Sequence, residues 1–100
     1  MFEASYSPII QRYFKKIKDA GLKQEFIDIR NEILLDPESG DDKTADLSGF
    51  YTRTIRYKGT QYRIAYRIYD EEKTVYFVLG GTRENFYDDL KRYLKEHDLL

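Results

Sequence analysis

Arg63 and Arg67 stand on either side of Ala65 in the stretch Tyr62-Arg63-Ile64-Ala65-Tyr66-Arg67-Ile68-Tyr69. The stretch alternates. Tyr62, Ile64, Tyr66 and Ile68 fall on one side of an extended chain; Arg63, Ala65, Arg67 and Tyr69 fall on the other. Such a strand buries its apolar side and presents guanidinium groups from the other. A guanidinium forks onto two oxygens of a carboxylate or phosphate. The chemistry is therefore anion binding, and RNA is an anion that fits it. On the preceding segment Arg56 shares parity with Thr52 and Thr54 and joins this set, whereas Arg53 points the other way.

Charge is segregated along the chain. The 100 residues carry 17 Lys+Arg and 18 Asp+Glu, a formal net charge of −1. A dedicated nucleic-acid binder is usually basic, so the total argues mildly against RNA. The distribution argues for it. Asp36 to Asp46 holds five acids (Asp36, Glu38, Asp41, Asp42, Asp46) and one base, Lys43. Leu47 to Tyr69 holds five bases (Arg53, Arg56, Lys58, Arg63, Arg67) and no acid. Local field decides the fate of an anionic ligand more than net charge does.

Several chemistries are excluded by residue type. There is no cysteine, so disulfides and thiolate catalysis are out, in keeping with a cytoplasmic protein. His97 is the single histidine. It sits near a charged helix end, where it favours the helix dipole. One histidine with scattered acids makes neither a zinc site nor a Ser-His-Asp triad. Asp88 and Asp89, adjacent on a helix, diverge by about 100° and read as solvated acids. No phosphate-binding glycine pattern occurs. No apolar run approaches a membrane span, and the N-terminus has no signal-peptide pattern. No cofactor and no metal is expected.

The elements that must position the arginines read as one domain over residues 1–100. Phe2 to Tyr6 is a short strand. Ser7-Pro8 starts a helix, Ser as N-cap and Pro at the first turn, and Ile10, Tyr13, Phe14 and Ile17 recur at helical spacing. Gly21 reads as its C-cap. A second helix runs from Leu22 to Leu35 on a stripe of Leu22, Phe26, Ile29 and Ile33, and Pro37 stops it. Glu38 to Ser48 is a polar loop closed by Gly49. Three strands follow, Phe50–Tyr57, Gln61–Asp70 and Thr74–Gly80, joined by turns at Lys58-Gly59-Thr60 and Asp70–Lys73. Gly80-Gly81 ends the last strand. A final helix runs from Asn85, its cap, to Glu96, with Leu90 and Leu94 inward. The expected class is α+β: an N-terminal strand and helical hairpin packed on an antiparallel sheet, with a C-terminal helix. The helices gather on one face; the other face is left to solvent or a ligand.

Leu47-x-Gly49, the basic strand Arg53 to Lys58, Tyr62-Arg63-Ile64-x-Tyr66-x-Ile68, Gly81-Thr82-Arg83 and Tyr87 together resemble the RelE/ParE superfamily of bacterial toxins. These are the toxin halves of type II toxin–antitoxin pairs. The resemblance covers essentially the whole chain. It implies a metal-independent, ribosome-dependent mRNA endoribonuclease in which a 2′-hydroxyl attacks the adjacent phosphate and leaves a cyclic phosphate. It implies Arg63, Arg83 and Tyr87 as catalytic groups, and Arg56, Lys58 and Arg67 as RNA phosphate contacts. A tyrosine has a reference pKa near 10, so it serves as an acid unperturbed and as a base only beside cations. The implied partners are a cognate antitoxin, laid over the basic face or displacing the last helix, and mRNA on the ribosome. ParE-type members poison DNA gyrase instead. A gyrase poison without nuclease activity and an inactive antitoxin-binding module are the alternatives.

Overall fold

A computed structural model describes residues 1–42, 49–82, 84 and 86–97. The elements run β1 (Glu3–Tyr6), α1 (Pro8–Lys16), α2 (Ala20–Leu35), a single 3-10 turn (Pro37–Ser39), β2 (Asp41–Asp42), β3 (Phe50–Tyr57), β4 (Thr60–Tyr69), β5 (Thr74–Thr82) and α3 (Phe86–Glu96). The class is α+β, as the sequence implies.

The meander β3-β4-β5 is antiparallel. Its first turn is Lys58-Gly59, with φ of 47° and 79°. Two successive positive φ values are the tight hairpin turn whose twist matches the strands. That turn fixes the register: Tyr57 faces Thr60, and Thr54 faces Arg63. β1 joins the far edge parallel to β5, so the sheet is mixed, in the order β1-β5-β4-β3-β2. β5 does not end at Gly80-Gly81. It continues through Thr82, because both glycines pair with β4, Gly80 with Ile64 and Gly81 with Arg63.

The helical hairpin forms much as its caps dictate. Ser7 Oγ accepts from Ile10 N at 3.1 Å and opens α1. Gly21 is not the C-cap of α1. Ile17 holds that position, and Asp19 caps α2 by accepting from Gly21 N at 2.9 Å and Leu22 N at 3.2 Å. Gly21 lies in the first turn of α2, where the Tyr57 hydroxyl occupies the space of a Cβ. The polar loop expected from Glu38 to Ser48 begins instead with the 3-10 turn and β2, whose two residues pair with Thr52 and Tyr51; residues 43–48 lie outside the described residues.

The helices do not gather on one face. Ile10, Leu22, Phe26 and Ile33 of the hairpin pack on Ile55, Ile64, Tyr66, Val75 and Phe77. On the opposite face Phe86, Leu90, Tyr93 and Leu94 of α3 pack on Phe50, Ala65, Val78 and Leu79. A β-bulge makes the second face possible. Ala65 pairs with Leu79 but Tyr66 with Phe77, which leaves Val78 as the extra residue. Val78 and Leu79 both enter the α3 core as a result. Ser7, fully buried, stitches the bulge: its N–H donates to Phe77 O at 2.9 Å and its Oγ to Val78 O at 2.5 Å. Among the described residues no helix is long and apolar enough to cross a membrane.

Candidate phosphate-binding site

Register builds the site. Arg63 faces Thr54 on β3 and Gly81 on β5, and Arg56 faces Gln61. Strand parity sets all of these on the face that α3 covers. Arg53, of opposite parity, turns to the hairpin: its Nη2 pairs with Glu32 Oε1 at 3.0 Å and its Nη1 donates to Ser39 Oγ at 2.9 Å. Arg53 is thus a tie between β3 and α2.

α3 brings the second group. Buried Phe86 anchors its first turn in the core, and Tyr87, next in the chain, lies over Arg63. Arg63 Nη1 donates to the Tyr87 hydroxyl at 3.2 Å, and its guanidinium carbon stands 5.4 Å from the ring centroid. The contact is a cation on an aromatic face with a hydrogen bond added. Because Tyr87 accepts from Arg63, its own proton is left to give to something else. Among the described residues no carboxylate pairs with Arg63, and its Nε is the one buried side-chain polar atom with no hydrogen-bond partner. A buried donor without a partner is costly.

The other expected residues are spread. Arg56 is exposed on the same face as Arg63, two register steps away. Arg67 is not continuous with Arg63: Ala65 lies between them, fully buried beneath α3. Arg67 is taken up by aromatic rings, 5.2 Å from the centroid of Phe50 and 5.7 Å from that of Tyr69. Lys58 leaves the site altogether. Its Nζ lies 3.6 Å from Asp19 Oδ2 at the start of α2 and over the Tyr57 ring. Asp19 is held below the usual carboxylate range, first by the Tyr57 hydroxyl, which donates to it at 2.9 Å. This cluster caps a helix on the hairpin side. Arg83 and the expected cap Asn85 lie outside the described residues. His97 stacks on Tyr93 with ring centroids 4.2 Å apart, at the end of α3 remote in sequence from Tyr87.

Sequence reasoning undervalued Thr54 and Gly81 as the flanks of Arg63. The signal was the Lys58-Gly59 turn, since a two-residue hairpin sets the whole register. Hollows among the described residues include the following two. A shallow recess of about 630 Å³, lined by Gly59, Thr60, Gln61, Thr82 and Glu84, adjoins the Arg63–Gly81 row. A crevice of about 420 Å³ between α1 and α2 is lined by Phe14, Phe26, Ile27, Lys15, Lys23 and Arg30 among others. It shares no residue with the Arg63–Tyr87 pair and lies on the hairpin face.

Residues 5–91 match the family model of the ParE-like toxin of type II bacterial toxin–antitoxin system. A sequence search of curated proteins gives no match. Solved structures give the fold. An E. coli toxin RelE mutant in the free state, with two arginines changed to alanine, superposes with a TM-score of 0.76 at 17% identity, over 95% of this chain and 96% of that one. The toxin in the intact E. coli RelBE toxin–antitoxin complex gives 0.69 at 18%, over 84% and 99%. The same RelE mutant in complex with an antitoxin RelBc peptide gives 0.69 at 19%, over 89% and 93%.

Proposed function

The chain belongs to the ParE-like toxins of type II bacterial toxin–antitoxin systems, and on that premise we propose that it is a metal-independent endoribonuclease that cuts mRNA on the ribosome. The observation that carries the reading is Arg63. It is a half-buried cation with no carboxylate partner among the described residues, one unsatisfied N–H, and a phenol hydrogen-bonded to its guanidinium. A guanidinium so placed stabilises the charge that develops on a phosphate when a 2′-hydroxyl attacks it. The 2′-hydroxyl gives its proton to water as its oxygen bonds to phosphorus and the bond from phosphorus to the 5′-oxygen breaks; Tyr87 supplies the proton to that leaving 5′-oxygen and regains one from solvent. The RNA then ends in a 2′,3′-cyclic phosphate, and every step is acid–base and electrostatic chemistry. Arg56 is the exposed cation on the same face and positions the strand by its phosphate. Arg83 joins Arg63 as a second phosphate cation in this reading. Lys58 and Arg67, engaged elsewhere, contribute to the field rather than to the reacting group.

The likeness to the RelE of two antitoxin complexes supports a cognate antitoxin as the partner of this chain. The test is induced expression of wild type and Arg63→Ala in a host without antitoxin, with growth and mRNA 5′ ends followed together. New mRNA cuts with growth arrest, both abolished by Arg63→Ala, are the expected result. Arrest without cuts refutes the ribonuclease reading and moves the target to DNA gyrase or another protein. No arrest leaves an antitoxin-binding module.

A further inference from the structure

β5 carries two successive glycines in a strand interior, where glycine weakens the strand for lack of a side chain and for backbone entropy. One of them has a packing reason. Gly80 faces the hairpin, and a Cβ there would stand 3.4 Å from the Tyr13 ring. Gly81 has none. Its backbone is outside the left-handed region that needs glycine, and among the described residues nothing lies within 4 Å of where its Cβ would be. It is fully paired, facing Arg63 on β4. Among the described residues neither conformation nor packing explains the missing side chain.

What the missing side chain does is leave a slot. Gly81 and Arg63 are cross-strand neighbours on one face, where Cβ atoms stand about 5 Å apart. A side chain at 81 would therefore rise from the same face of the sheet, at the position paired with Arg63. The shallow recess lined by Gln61 and Thr82 continues the same end of the sheet. Gln61 lies two residues before Arg63 on the same face, and Thr82 follows Gly81.

We infer that Gly81 is the approach-determining position of the site. Its bare backbone is the floor on which the sugar–phosphate chain of a single-stranded RNA lies while a phosphate oxygen meets Arg63. The inference rests on the ribonuclease reading and adds to it the path of the substrate. A side chain at 81 lifts the phosphate away from the guanidinium, and misplacement by an ångström or so costs on the order of 10²-fold in rate.

Gly81→Ala and Gly81→Val are compared with wild type and Arg63→Ala as purified proteins. The readouts are urea unfolding, binding of a fluorescent single-stranded RNA oligonucleotide, and mRNA 5′ ends after induction. Expected is a split that a structural role would not produce: both variants are at least as stable as wild type, Val more so by strand preference, while RNA binding and cutting fall, further in Val than in Ala. Stable variants that bind and cut as wild type overturn the inference and leave the ribonuclease reading intact. If Gly81→Ala, which adds one methyl to open space, loses stability, the glycine is structural and the inference is also overturned. If wild type neither binds nor cuts RNA, the ribonuclease reading falls, and this inference with it.

Discussion

Ser7→Ala tests whether the β1–α1 junction is held as described. The serine hydroxyl makes two backbone contacts: it accepts from Ile10 N at 3.1 Å and donates to Val78 O at 2.5 Å. Loss of an N-cap costs about 1 kcal/mol. Val78 is fully buried, so water does not replace the lost donor, and an orphaned buried acceptor costs about 1–3 kcal/mol. Both contacts share one hydroxyl, so the sum is not strictly additive, and about 3 kcal/mol is the central expectation. For a domain of this size, about 4–8 °C per kcal/mol gives a fall in Tm of about 12–24 °C. The assay is thermal and urea unfolding by circular dichroism, with Ser5→Ala, at an exposed site in β1, as control. A Ser7→Ala loss within about 0.5 kcal/mol of the control, the scatter of neutral surface changes, would refute the reasoning, since the bulge would then be held by something other than this hydroxyl.

Two further outcomes follow from particular side chains. Tyr87→Phe deletes the hydroxyl that Arg63 reaches but keeps the ring under its guanidinium; mRNA cutting should fall by about 10²–10⁴ while urea unfolding shifts little, and equal cutting by Phe would remove Tyr87 from proton transfer. Burial pushes the phenols of Tyr13, Tyr66 and Tyr93 up to about 12, above the ordinary value near 10 that they regain on unfolding. The folded state therefore holds protons that the unfolded state has released, so their stability contribution is full below about pH 10 and is lost as pH rises toward 12. Phenolate absorbance followed with circular dichroism should show these tyrosines ionising together with unfolding, and their ionisation in a still-folded protein would contradict the burial argument.

Much of the frame was legible because local chemistry dictates it. Alternation in β4 gave the correct faces for Tyr62 to Tyr69, and parity correctly separated Arg56 from Arg53. Ser7-Pro8 gave the start of α1. What escaped was set by contacts distant in sequence. The stripe on α3 shows that the helix is half buried, not which face of the sheet buries it. The signal lay elsewhere, in Val75 to Leu79: an unbroken apolar run marks a strand covered on both sides, as does small Ala65 between two arginines. The asparagine and arginine expected beside the last strand fall outside the described residues. Gly21 misled because a glycine after an apolar stripe reads as a stop, while Asp19, two residues before it, was the cap. Gly80-Gly81 misled for a like reason. Glycine permits a break but does not impose one, and ordinary backbone angles with full pairing carry β5 on.

The edge seam between β1 and β5 has a consequence for the order in which the chain can close. β3, β4 and β5 meet through tight turns, so their pairing joins near neighbours in sequence. Ser7 meets Val78 across 71 residues. Closing a loop of that length costs about 4 kcal/mol of chain entropy beyond a constant, and no single strand pair repays it early. A nascent chain therefore cannot complete its sheet, nor seat the start of α1 on the bulge, until Val78 has been made. For a molecule of this family, most of the polypeptide is synthesised before the framework that holds Arg63 in register is closed at its edge.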